Sequence, residues 1–201
     1  MKNNLLSDKL AYNGDTKTRT HLHLCSYTVD RVEEAAGDDF GEMKSRFQPD
    51  GITWLQIHGL EDTDAVQTVC THFGIDFLVM QDILNTDHAS KVEEHDQYNV
   101  IIAKQIMGGE AMQVSLVQGA DFVLTFQERD NDFFDDVMRA IRSNVLKIRT
   151  RQSDYLFSVL LNGLITGYMS VAAAISDGLE ELESALLADT GDRDIGVQMQ
   201  E

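Results

Sequence analysis

Along this chain the spacing of apolar positions changes several times, and each change marks an element. From His21 to Thr28, the positions Leu22, Leu24 and Ser26 alternate with His23, Cys25 and Tyr27, the period-two signature of a strand. Residues 30–46 are acidic with scattered apolar positions and predict one or two surface helices. Ile52, Trp54, Leu55 and Ile57 predict a second strand, stopped by Gly59. Val66, Val69, Cys70 and Phe73 then recur at helical spacing, behind a start signal at Asp62 or Thr63 and ahead of a stop at Gly74. Asp76 is placed to cap another short helix, Phe77 to Asn85. Its buried stripe is Phe77, Met80, Ile83 and Leu84, so Leu78, Asp82 and Asn85 share a different face with Gln81 beside them.

The middle of the chain reads as a meander. Tyr98–Met107 is an apolar strand, Gly108-Gly109 signals a hairpin turn, and Met112, Val114 and Leu116 alternate along the return strand. Gln118 to Asp121 turns the chain again into the strand Phe122–Phe126, and such short connections make antiparallel neighbours. Beyond Asp132, the positions Phe133, Phe134, Val137, Met138 and Ile141 mark an amphipathic helix, on which Asp135 and Arg139 form an i,i+4 pair. The last third is helical. Strands with flanking helices predict an α/β class fold: an α/β/α sandwich with a mixed, partly antiparallel sheet, ending in a long helix. The expected organisation is a flexible lead-in over residues 1–20, an α/β domain over 21–150 and a long helix over 151–201.

One segment within that helix has a second reading. No residue between Asp154 and Asp177 is charged, and Gly163 and Gly167 make a GxxxG spacing, so the stretch is long enough to span a bilayer. Ser158, Asn162, Thr166 and Ser170 recur every fourth position, alanine fills the later turns, and the pattern continues into Asp177, Glu180, Glu181 and Glu183. These features favour a helix buried against the sheet.

Composition narrows the function. With 43% hydrophobic and 25% charged residues the chain is an ordinary globular one, but its net charge of −18 is wrong for binding nucleic-acid phosphates and right for attracting small cations. Cys25 and Cys70 lack CxxC spacing and read as reduced thiols. No nucleophile elbow, phosphate loop, dinucleotide fingerprint or HExxH helix occurs, so the reading is not an enzyme. His21 and His23 share one strand face and could begin a metal site, but an HxH pair fits ordinary half-exposed histidines as well. Asp130, Asp132, Asp135 and Asp136 read as helix capping and a solvated face.

A series of short segments then carries a resemblance. They are Trp54 to Leu60 (WLQIHGL), Phe73-Gly74-Ile75, Asp82 to Asp87 (DILNTD), Lys91 to Glu94 (KVEE) with Tyr98, and Gln113-Val114-Ser115. Phe122 to Glu128 (FVLTFQE), Ile148-Arg149, Asp154-Tyr155-Leu156 and Glu180 to Glu183 (EELE) complete it. In this order and spacing they resemble the cytoplasmic domain of the CorA family of magnesium and cobalt transporters. The resemblance implies a domain on the cytoplasmic side of the inner membrane, leading into a stalk helix and two C-terminal membrane helices. The Gly-Met-Asn signature of the family's pore mouth does not occur in these residues, so the chain is expected to be the soluble part only, ending at Glu201 near the start of the stalk. It further implies a homopentamer whose closed state is held by divalent ions between subunits, with Mg2+ or Co2+ as both regulatory and transported ion. Asp82 maps onto a regulatory, intersubunit ligand, whereas Gln81 and Asn162 stand neutral at family acidic positions. The alternatives are the equivalent domain of a zinc-transporting relative, or a freestanding soluble metal-binding or scaffold domain.

Overall fold

The computed structural model describes residues 8–107 and 109–191. The expected lead-in and tail run into residues 1–7 and 192–201, and the expected hairpin turn includes Gly108; these positions lie outside the described residues.

The strands are β1 (His21–Tyr27), β2 (Val32–Gly37), β3 (Ile52–His58), β4 (Lys91–Glu94), β5 (Tyr98–Met107), β6 (Glu110–Gly119) and β7 (Phe122–Gln127). They form one 7-stranded sheet in the order β2-β1-β3-β7-β6-β5-β4. The central pair β3–β7 is parallel and the other neighbours are antiparallel, giving the mixed sheet expected. The edge strands β2 and β4 carry Glu33, Glu34, Lys91, Glu93 and Glu94, charges that discourage pairing with a further strand.

Helices cover both faces. On one, Met43 of α1 (Phe40–Lys44), Val66 and Val69 of α2 (Thr63–His72), and Met80 and Ile83 of α3 (Phe77–Leu84) pack on Leu24, Leu55, Ile57, Val100 and Leu124. On the other, Val137 and Ile141 of α4 (Asp135–Arg142) and Leu156, Leu160 and Leu164 of α5 (Ser153–Gly191) pack on Trp54, Val114, Leu116 and Val123. The stop at Gly59 holds, because its φ of +74° and the backbone of Thr18 and Arg19 pressed against it leave room only for glycine. Residues 8–20 carry no helix or strand; Tyr12 donates to Glu128 Oε2 at 3.1 Å, and Glu128 Oε1 accepts the Gln113 backbone N–H at 2.7 Å.

Four expectations need correction. Residues 30–46 hold β2 before the short α1, because Glu33 to Ala36 pair in register with Ser26 to His23 and complete the sheet. Arg139 pairs with Asp136, three residues before it, rather than with Asp135. Asp130 turns back to two histidines instead of serving a solvated helix face.

The fourth concerns α5, which contains a stretch long and apolar enough to cross a membrane, Ser153–Leu186. It is not buried along its length. Only its first part lies on the sheet, through Leu156, Leu160 and Leu164, while Met169, Ile175, Leu179, Leu182 and Leu186 are exposed. The polar stripe Ser158, Asn162, Thr166 and Ser170 faces solvent, and Gly163 and Gly167 face Phe133.

This division of α5 predicts unequal mutational costs. Leu160→Ala should lower unfolding stability by about 2–5 kcal/mol, the cost of truncating a buried leucine. Leu179→Ala, on a side chain 62% exposed, should change it by less than about 0.5 kcal/mol. Urea denaturation of both variants checks this, and equal costs would show that the far part of α5 also belongs to the core.

Candidate functional site

α3 presents Asp82 on the face it does not bury. Val79, Met80, Ile83 and Leu84 turn inward, while Leu78 remains 56% exposed. Both ends of the helix are tied down. Asp76 precedes it but does not cap it; its carboxylate accepts from the Tyr98 hydroxyl at 2.8 Å, and that hydroxyl accepts the Asp76 backbone N–H at 3.0 Å. At the C-terminal end, Gln113 Nε2 donates to the carbonyls of Asp82 at 3.3 Å and Ile83 at 2.9 Å, satisfying acceptors that a helix end leaves open. Asn13 accepts the Thr86 backbone N–H at 2.7 Å on the following residue pair. The position of Asp82 is therefore fixed by its backbone neighbours and not by its own charge.

The Asp82 carboxylate is already engaged by a cation. Lys91 Nζ donates to Oδ2 at 2.5 Å and also to Glu93 Oε1 at 2.8 Å. Lys91 and Glu93 stand two residues apart on β4, so they share the face of the strand that looks toward α3. Burial disfavours the Lys91 ammonium, but its hydrogen bonds and proximity to Asp82 and Glu93 outweigh this and raise its pKa. The Glu93 carboxyl is held below the usual range, chiefly by the hydrogen bond from Lys91. His88 completes the group. Its Nδ1–H can only donate to the Ala89 carbonyl at 2.7 Å, and its Nε2 faces Asp82 Oδ1 at 3.3 Å. An open cavity of about 810 Å³ lies over these side chains, with Asp76, Glu94 and His95 on its walls.

The remaining singled-out residues fall elsewhere. Gln81, expected beside Asp82 on the free face of α3, is instead buried at 4% exposure on its inward side, where an uncompensated carboxylate would be costly and a neutral amide is tolerated. Asn162 is exposed on α5, on the opposite side of the sheet from α3. Within one chain Asp82 and Asn162 therefore do not converge on a shared ion. His21 and His23 lie on the α4 side, next to His58 and Asp130. Burial pushes His58 down to about 4, and burial followed by the neighbouring His21 lowers His23. Cys25 and Cys70 are unpaired and buried, and burial raises both thiols to about 12, so neither offers a thiolate. Lys91, His88 and Glu93 were not singled out as site residues from sequence. Their signal was the i,i+2 placement of Lys91 and Glu93, which reads as one face only once β4 is known to be a strand.

Residues 49–199 match the family described as CorA-like Mg2+ transporter protein. The chain is 32% identical over 192 residues to the cobalt/magnesium transport protein CorA of Thermotoga maritima, covering 92% of this chain and 55% of that protein. The chain thus spans about half the length of the curated relative it matches. The fold resembles the complete CorA magnesium transporter from Methanocaldococcus jannaschii, with TM-score 0.60 and 19% identity over 83% of this chain and 51% of that one. It also resembles the soluble domain of CorA from the same organism, with TM-score 0.58 and 20% identity over 82% of this chain and 64% of that one.

The Lys91–Asp82 contact makes a prediction about binding. A divalent ion can use Asp82 only by displacing the ammonium, which forgoes charge-assisted hydrogen bonds worth about 1.5–3 kcal/mol. Lys91→Met should therefore tighten Mg2+ binding to this chain about tenfold, or about 1.4 kcal/mol, and Asp82→Asn should abolish that gain. Isothermal titration of the variants measures this. An unchanged Mg2+ affinity in Lys91→Met would show that the ammonium and the ion do not compete.

Proposed function

We propose that this chain, which belongs to the CorA-like Mg2+ transporter family, is the divalent-cation-sensing cytoplasmic domain of a CorA-type Mg2+/Co2+ transport channel. The observation that carries this reading is Asp82, held rigidly on α3 with its carboxylate facing an acidic cavity and neutralised by the chain's own Lys91. On this reading Lys91 is the resident cation of the ion-free state. When Mg2+ rises, the ion takes the Asp82 carboxylate and Lys91 swings to Glu93, which already accepts from it. Mg2+ keeps several of its waters and needs only one or two carboxylates, so Asp82 and one oxygen ligand from a neighbouring subunit suffice. An ion that binds the closed assembly more tightly than the open one favours closure by that difference alone.

Self-association is the second part of the proposal, and α5 supports it. Its exposed residues Ile175, Leu179, Leu182 and Leu186 fall on the alternating three- and four-residue spacing of a coiled-coil seam. Glu183 flanks that seam, and Asp177, Glu180 and Glu181 lie on the side of the helix away from it, a charge pattern that suits a helix packed on helices in water better than one in lipid. The homopentamer and the transported ions Mg2+ and Co2+ belong to this proposal.

The deciding experiment measures ion flux through the complete transporter at low and high internal Mg2+. The wild type should close as Mg2+ rises, and Asp82→Ala should stay conductive at concentrations that close the wild type. If Asp82→Ala kept the wild-type Mg2+ dependence, Asp82 would not be the sensing ligand.

A further inference from the structure

The face of the sheet opposite Asp82 holds a second, chemically different cluster. β1 and β3 pair antiparallel with His21 opposite His58 and His23 opposite Gln56. Side chains alternate along a strand, so all three histidines emerge on the face that α4 covers. Their rings meet there, with centroids 5.0 Å apart for His21–His23, 5.2 Å for His21–His58 and 5.1 Å for His23–His58. Past the end of β7 the chain turns back over the rings and brings Asp130 to them, its Oδ2 3.4 Å from His21 Nε2 and its Oδ1 3.4 Å from His58 Nδ1. One ligand atom each from His21, His23 and Asp130 lie within 4.8 Å of one another. A cleft of about 380 Å³ open to solvent is lined by His23, His58 and Asp130, with Asp132 and Asp135 on its wall.

Ring packing alone does not account for the proton positions. The Arg19 carbonyl lies 3.1 Å from His21 Nδ1 and can only accept, so that nitrogen carries a proton, and in the neutral ring the Nε2 lone pair faces Asp130. Two acceptors then confront each other at 3.4 Å. That distance is the edge of a tetrahedron whose centre is about 2.1 Å from each ligand, the usual metal–imidazole and metal–carboxylate length. His58 Nδ1 lies 3.4 Å from the Arg129 carbonyl and 3.4 Å from Asp130 Oδ1, both acceptors, so it donates to them and steadies the carboxylate. A ligating histidine fixed by a backbone carbonyl, and a ligating carboxylate steadied by a further donor, are the supports that metal sites build around their ligands.

We propose that His21, His23 and Asp130 form a binding site for a borderline divalent transition metal ion of the Co2+, Ni2+ or Zn2+ class, with His58 as its positioning residue. Two imidazoles and one carboxylate select against Mg2+, which demands oxygen ligands, and three protein ligands leave a coordination position open to water. The site shares no residue with Asp82 and does not depend on the role proposed for it.

The test uses the untagged chain, stripped of metal and titrated with Co2+ while its visible d–d absorption is recorded. Wild type and Asp82→Asn should develop the same intense bands of a four- or five-coordinate nitrogen-containing site, and an excess of Mg2+ should not bleach them. The double variant His21→Gln/His23→Gln should lose Co2+ affinity by about tenfold or more. Asp130→Asn, which alters an exposed side chain and leaves the core intact, should lose affinity in the same direction and decides the matter if the double variant fails to fold. Wild-type Co2+ affinity in Asp130→Asn, bleaching by Mg2+, or loss of the bands in Asp82→Asn would each overturn the assignment.

Discussion

β3 and β7 lie side by side at the centre of the sheet, running parallel with Trp54 opposite Val123 and Leu55 opposite Leu124. Both faces of this pair are covered, so its register decides what every neighbouring layer meets. Leu55 and Ile57 look toward α1, α2 and α3, whereas Trp54 and His58 look toward α4 and α5. A slip of one residue would exchange these two sets. Trp54 resists such a slip. It is fully buried, and its Nε1–H donates to Thr125 Oγ1 at 3.3 Å on β7, so the largest core side chain satisfies its single polar atom only in this register.

The same constraint separates two cation-facing regions and gives them different chemistry. α3 arrives on one face after a short connection from α2 and carries Asp82 toward the edge strand β4, where Lys91 and Glu93 wait. The histidines of β1 and β3 open on the other face. A net charge of −18 raises the local concentration of any cation at both places, because the summed field does not distinguish ions. Selection has to come from the ligands. Around Asp82 the oxygen atoms are contested by an ammonium group, which on the sensing role proposed for Asp82 would weaken ion binding and move the response toward higher ion concentration. On the assignment made for His21, His23 and Asp130, the ring nitrogens favour borderline transition ions over Mg2+, which demands oxygen ligands.

How much of this was legible depended on whether a residue's role was local. The alternation in β1, the apolar run of β3, the Asp62 start and Gly74 stop of α2, and the turn from β6 into β7 are properties of a few neighbouring residues, and they were read directly. β2 was misread as helix because Glu33 and Glu34 look like a solvated helix face until β1 supplies the hydrogen-bonding partner. β4 gave no signal at all, since its one apolar residue, Val92, is exposed. At Asp82 the helix face was legible but its partners were not: Lys91 belongs to β4, and His88 lies in the connection between α3 and β4. The HxH of β1 was visible as a pair, yet His58 and Asp130 join it only through the β1–β3 register and the chain's return after β7.

α5 illustrates the limit of composition as a guide to environment. An uncharged run from Tyr155 to Ser176 satisfies the length and polarity of a bilayer span, and it equally suits a helix that first meets a sheet and then other helices. The distinction lies in spacing. A lipid-facing helix can place apolar residues all round, because every side meets the same solvent. Here the buried apolar residues Leu156, Leu160 and Leu164 face the sheet, and later Ile175, Leu179, Leu182 and Leu186 form a separate exposed seam. Between them Ser158, Asn162, Thr166 and Ser170 keep a polar stripe in water. A helix so divided asks for two different protein surfaces along its length. The first is supplied by its own domain, and the second has the spacing that another helix of the same kind would fill.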